Sequence, residues 1–95
     1  MEQENELCIG QLVRSKAGHD KGKDFFVIAI LNHEYVFVAD GESRCVHKPK
    51  KKKVKHLQKY HAVSKVIKEA IENGEVLQDF QLRRELASHQ QGGVS

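Results

Sequence analysis

The chain has 95 residues, 39% of them hydrophobic and 31% charged, with a formal net charge of +3; this suffices for one small domain and leaves no room for a second independent core. No apolar run approaches the roughly 20 residues of a membrane span, and the acidic start MEQENE is unlike a secretion signal, so a cytoplasmic protein with no membrane partner is expected. Cys8 and Cys45 stand 37 positions apart without C-x-x-C spacing, which argues against a metal cage or redox motif and for two reduced, partly buried thiols.

Residues 1–8 and 90–95 are expected to fray, because they are too polar and glycine-rich to pack. Residues 9–60 are expected to form the folded barrel and 61–89 a helical tail packed on it. Within the first unit, Ile9 to Ser15 reads as a strand, followed by a glycine-punctuated loop from Lys16 to Lys23. Asp24 to Leu31 contains FFVIAIL, whose alternating positions are apolar on both sides, so this strand requires cover on both faces. Asn32 and His33 make a turn into EYVFVAD, and Asp40 with Gly41 closes that strand with a strong hairpin signal. Ser43 to His47 alternates weakly, and Val54 to Leu57 makes a last short strand after the lysines. Four to five short strands joined by tight turns predict a small antiparallel barrel.

The period changes after Tyr60. Val63, Val66, Ile67, Ala70 and Ile71 form one helical stripe, with Gly74 as its C-terminal stop. A second helix from Asp79 to about Ser88, capped by Gln78 or Asp79, carries Phe80, Leu82, Leu86 and Ala87. These two helices are the candidates to cover the outer face of FFVIAIL. The fold class is thus mainly β with α, a small barrel followed by two C-terminal helices.

Charge is unevenly spread. Between Ser43 and Lys68 lie ten Lys or Arg and no acid, so the rest of the chain is net acidic. In the Lys16–Lys23 loop, Gly18 and Gly22 supply positive φ, and Asp20 can hold the loop by bonding neighbouring backbone N–H groups. Lys16, His19, Lys21 and Lys23 are then displayed on a stiff tip; an ordinary solvated hairpin would carry the same residues. The tract KPKKKKVKH is more specific, because four successive lysines repel one another unless an anion neutralises them. What favours a binding surface is that both basic features fall in turns of one barrel. A phosphate-binding loop of nucleotide hydrolases is excluded, since Gly22 leads through Lys23 into a strand and not a helix. The scattered His19, His33, His47, His56, His61 and His89, without G-x-S-x-G or H-E-x-x-H, give no enzymatic or metal site, and no cofactor is expected. Tyr35, Phe37 or Tyr60 can stack on a base, with core packing as the plainer role.

Gly10, Val13, Ser15, Gly18, Asp20, Gly22, Val27 and Ile28, followed by VFVADG and KKKKVKHL, resemble the KOW pattern of the archaeal and eukaryotic large-subunit ribosomal protein fourteen family and its short stand-alone bacterial relatives. The resemblance implies an SH3-like barrel that binds ribosomal or other structured RNA without catalysis. Arg14, Lys16, Lys21, Lys23, Arg44, Lys48, Lys50, Lys51, Lys52, Lys53 and Lys55 are expected as phosphate ligands, with His19 and His56 as further donors. Gly18, Asp20 and Gly22 shape the loop. The expected partner is RNA, ribosomal RNA first, with ribosomal proteins as further neighbours and a monomer when free. The alternative is a protein-interaction module whose lysines face an acidic surface of a ribosomal or transcription component. Replacing Lys50 to Lys53 by glutamine is expected to leave the fold intact, on the premise that those side chains belong to solvent.

Overall fold

A computed structural model of the chain describes residues 7–94, with side chains through residue 89. Five strands, β1 (Gln11–Ser15), β2 (Asp24–Ile30), β3 (Tyr35–Ala39), β4 (Lys50–Lys53) and β5 (Leu57–Val63), are followed by helices α1 (Lys65–Glu72) and α2 (Asp79–Val94), with a 3-10 turn at Val54–His56. All strand pairs are antiparallel in one sheet of order β4-β3-β2-β1-β5. The edge strands β4 and β5 are joined by the three residues of that turn. A flat sheet would hold its edges far apart, so this one curls into a barrel-like shell.

Strand alternation fills both sides of the shell. Its interior holds Leu7, Val13, Phe25, Val27, Val36, Val38 and Leu57. On the outer face Leu12, Phe26 and Ala39 meet Ile67 and Ala70 of α1, Leu82 of α2, and Leu77 of the connection between the helices. The double cover required by FFVIAIL is therefore present: Phe25 faces the interior and Phe26 the helices, each fully buried, a gain of about 1.5–3 kcal/mol per side chain. Cover stops short of the strand's end, where Ile30 is 41% and Leu31 52% exposed.

Ser64 caps α1, accepting from the Ile67 N–H at 3.1 Å while its own hydroxyl donates to Glu85 Oε1 of α2 at 2.7 Å. One side chain thus starts one helix and ties it to the next. Gly74 ends the first helix region in the left-handed conformation at φ 73°.

Several boundaries differ from expectation. Residues 1–6 lie outside the description, but Leu7, expected to fray, is 6% exposed and packs in the barrel interior. Ser43–His47 forms bends and a turn rather than a strand, because Asp40 turns the chain there: its carboxylate accepts from the N–H of Glu42 and Arg44 and from the Ser43 hydroxyl. The lysine tract is itself a strand, β4, and not a turn. Val54–His56, expected to be extended, forms the 3-10 turn, and β5 continues to Val63 before any helix begins. Helix α2 extends past Ser88 to Val94, through residues expected to fray. Both cysteines are free thiols, and Cys45 is exposed rather than partly buried.

Candidate nucleic-acid interface

The loop between β1 and β2 is held by its own backbone. Gly22 N–H donates to Ser15 O at 2.8 Å and Ser15 N–H to Lys23 O at 2.9 Å, while Lys21 and Lys23 donate to Gly18 and Asp20 carbonyls within the tip. These turns require φ of 79° at Gly18 and 89° at Gly22, values that cost a side-chain-bearing residue about 1–2 kcal/mol. Lys16, His19, Lys21 and Lys23 all project into solvent from this frame. Lys16 N–H also donates to His56 O at 2.8 Å, so the loop's base lies against the 3-10 turn that carries Lys55.

Beneath the tip, Asp20 is buried and faces three cations: Lys52 Nζ at 3.7 Å, Lys50 Nζ at 3.8 Å and Arg44 Nη2 at 3.9 Å from Oδ2. Its role is thus to collect positive charge from β4 and the β3–β4 connection; no carboxylate bond to a backbone N–H is seen at this residue among the described residues. Arg44 and Lys50 keep part of their side chains in solvent, whereas Lys52 is 8% exposed. The Lys52 ammonium donates to Ser15 Oγ at 3.0 Å and Ala17 O at 3.3 Å, and Ser15 Oγ in turn donates to Ala17 O. Two hydrogen bonds engage two of the three donors of this ammonium, and the carboxylate at 3.7 Å balances its charge.

Four identical residues therefore have two destinations. Antiparallel pairing sets Lys50 opposite Val38 and Lys52 opposite Val36, both on the barrel side, while Lys51 and Lys53 lie opposite Phe37 and Tyr35 on the outer side. Among the predicted contacts, Lys16, His19, Lys21 and Lys23 lie on the loop, Arg44 and Lys50 meet at Asp20 beneath it and the His56 carbonyl lies at its base, whereas Lys55 lines a separate hollow with Lys53. Lys48 is exposed on the β3–β4 connection. Lys51 and Lys53 belong to the opposite face. Lys52 is a correction: it is a buried strut that holds the loop on β4, so the expectation that all four lysines can be replaced without harm to the fold fails at this position.

Arg14 borders the loop but is already engaged by a carboxylate. Its Nε donates to Asp24 Oδ1 at 2.9 Å, and its guanidinium lies 5.8 Å from the centre of the Tyr60 ring. The hydrogen bond and charge of Asp24 push the Arg14 pKa further above its ordinary value. Tyr60 donates its hydroxyl to the same carboxylate at 3.2 Å; burial first, then the nearby Asp24 charge, pushes this phenol above its ordinary value. Arg14 and Tyr60 border a groove of about 520 Å³ that also touches Ser15, Lys16, Lys21, Gly22 and Gln58. Gln58 was not singled out from the sequence. The pairing of β1 with β5 shifts register between Gln11 and Val13, and that irregularity erases the two-residue alternation by which β5 would have been read.

No protein-family model matches the chain. It is 39% identical over 74 residues, 73% of this chain and the whole of the relative, to a Bacillus subtilis (strain 168) protein named "Putative ribosome-binding protein YbzG".

Proposed function

The chain belongs to the family of that Bacillus subtilis relative, and from this premise we propose that it is a ribosome-associated, RNA-binding protein of the cytoplasm that acts by binding and not by catalysis. The loop from Lys16 to Lys23, the cations gathered at its base and the 3-10 turn would grip the phosphate backbone of structured RNA. The observation that carries this reading is the cluster at Asp20, where one carboxylate faces three cations drawn from two other parts of the chain. The surplus is positive, and the surrounding Lys16, Lys21 and Lys23 make no ion pair among the described residues. Lysine heads of this kind supply affinity through charge and counterion release, while the wide, shallow minor groove of A-form RNA is recognised by shape.

Sedimentation of the tagged protein through sucrose gradients tests the reading. Co-migration with ribosomal particles that disappears on RNA digestion is the expected result. Retention on a ribosomal protein after complete digestion would instead favour the protein-docking alternative. In purified form, each of Lys16→Gln, Lys21→Gln and Lys23→Gln should flatten the slope of log K against log salt by about 0.7–0.9 if its ammonium neutralises one phosphate.

A further inference from the structure

The outer face of β3 and β4 is distinct from the Asp20 cluster. Register places Ala29, Phe37 and Lys51 in one row across three strands, and Tyr35 beside Lys53 in the next. Val36 between the two rings and Val38 after them are fully buried in the interior, which fixes Tyr35 and Phe37 on the outside. The helices pack farther along the sheet, and both rings retain partial exposure. Phe37 joins neither apolar cluster. The Lys51 ammonium lies 4.9 Å and that of Lys53 5.9 Å from the centre of the Tyr35 ring. Just past the strand, a hollow of about 240 Å³ is lined by His33, Glu34, Lys53, Val54 and Lys55.

We propose that this face binds single-stranded RNA, with bases stacked on Tyr35 and Phe37 and phosphates held by Lys51, Lys53 and Lys55. Alternate residues of a strand are about 6.6 Å apart, roughly twice the 3.4 Å rise of stacked nucleotides. Two rings at that spacing suit successive bases already pulled out of a stack and do not match a duplex. Aromatic rings flanked by lysines serve both halves of a nucleotide, because any base has a π-face and any backbone a phosphate. The small side chain of Ala29 beside Phe37 leaves the platform level. On binding, the ammonium groups exchange the ring for a phosphate and the base takes the vacated face. Charge selects the occupant: three lysines against the single Glu34 favour a polyanion over an apolar peptide.

This inference rests on the RNA-binding reading and adds a second site to it, so the test separates the two. The full chain is titrated with an unstructured RNA oligomer containing 2-aminopurine and, separately, with an RNA duplex. The wild type should quench the 2-aminopurine fluorescence. Tyr35→Leu should lose about tenfold in affinity for the oligomer, as expected for one stacked base, with duplex affinity unchanged. Lys51→Gln, a fully surface change, should weaken oligomer binding and lower its salt slope by about 0.7; it carries the test if Tyr35→Leu proves unstable. Duplex binding with no effect of either variant on the oligomer overturns the stacking site alone. Absence of binding to both RNAs overturns the proposed function together with this site. Capture of a protein partner that needs Tyr35 after RNA digestion overturns the site in favour of protein docking.

Discussion

Replacing Lys52 by methionine keeps most of the length and volume of the side chain and removes the ammonium with its charge and donors. Asp20, buried at 5% exposure, would keep Lys50 at 3.8 Å and Arg44 at 3.9 Å but lose its nearest and most buried cation. Breaking a buried pair by removing one partner costs about 3–5 kcal/mol. The two remaining cations lower that figure, and Ser15 Oγ still donates to Ala17 O, so we expect a loss of about 2–3 kcal/mol. For a domain of this size each kcal/mol moves the melting temperature by about 4–8 °C, which gives a drop of about 8–24 °C by circular dichroism. Lys51→Met, one residue away on the outer face, should stay within about 0.5 kcal/mol. The double variant Asp20→Asn with Lys52→Met should lose less than the two single changes added together, because it leaves no unpaired buried charge. Equal melting temperatures for Lys51→Met and Lys52→Met would refute the division of the tract into buried and exposed halves.

Gly41, at φ 80°, sits against α2, where an added Cβ would strike the Asp79 carbonyl oxygen and come within 3.1 Å of Leu82 Cβ; Gly41→Ala should cost about 2–4 kcal/mol in urea unfolding. Gly22, at φ 89° with open space around it, should lose only the conformational part, about 1–2 kcal/mol, on Gly22→Ala. Ser64→Ala removes both the α1 cap and the bond to Glu85 and should cost about 1–2 kcal/mol, measured the same way. The raised pKa of Tyr60 means that the folded state holds the phenolic proton more tightly than the unfolded chain does. Its contribution is complete below the ordinary value of about 10 and disappears as pH rises through the higher folded value, so Tyr60→Phe should flatten the alkaline fall of stability, read by thermal melts between about pH 8 and 11 with phenolate absorbance as the check.

The parts of the fold that rest on contrast were legible in the residues. FFVIAIL carries apolar side chains at both parities, and that required cover on both faces, which the barrel interior and the helices supply. The stripe of Val63, Val66, Ile67, Ala70 and Ile71, with its terminal Gly74, announced α1, although Val63 itself ends β5 and Val66 is 46% exposed. What stayed hidden lacked contrast. KKKK has no alternation to read, so neither its strand conformation nor the inward turn of Lys52 could be inferred from it, and the partner Asp20 lies in a loop far along the chain. Leu7 was hidden differently: one apolar residue after an acidic hexapeptide gives no periodic signal, and only the curvature of the sheet makes room for it.

A basic tract is usually counted as a sum of phosphate contacts, but a tract that forms a strand cannot present every side chain to one ligand. Alternation halves it, and here the inward half divides again: Lys50 stays at the mouth beside Arg44, whereas Lys52 is spent on positioning. In the proposed interface, the binding potential of the loop depends on the difference between the cations gathered there and the carboxylate that gathers them. Asp20 lowers that difference by one charge while holding Arg44, Lys50 and the loop lysines close enough to act on a common polyanion, a range on the order of the 8–10 Å screening length at physiological salt. Removing Asp20 would therefore raise the net charge of the surface and yet scatter it. That trade predicts that Asp20→Asn binds RNA no more tightly than the wild type despite its extra positive charge, and a clear gain in affinity at equal salt would show that total charge, not its convergence, governs the interface.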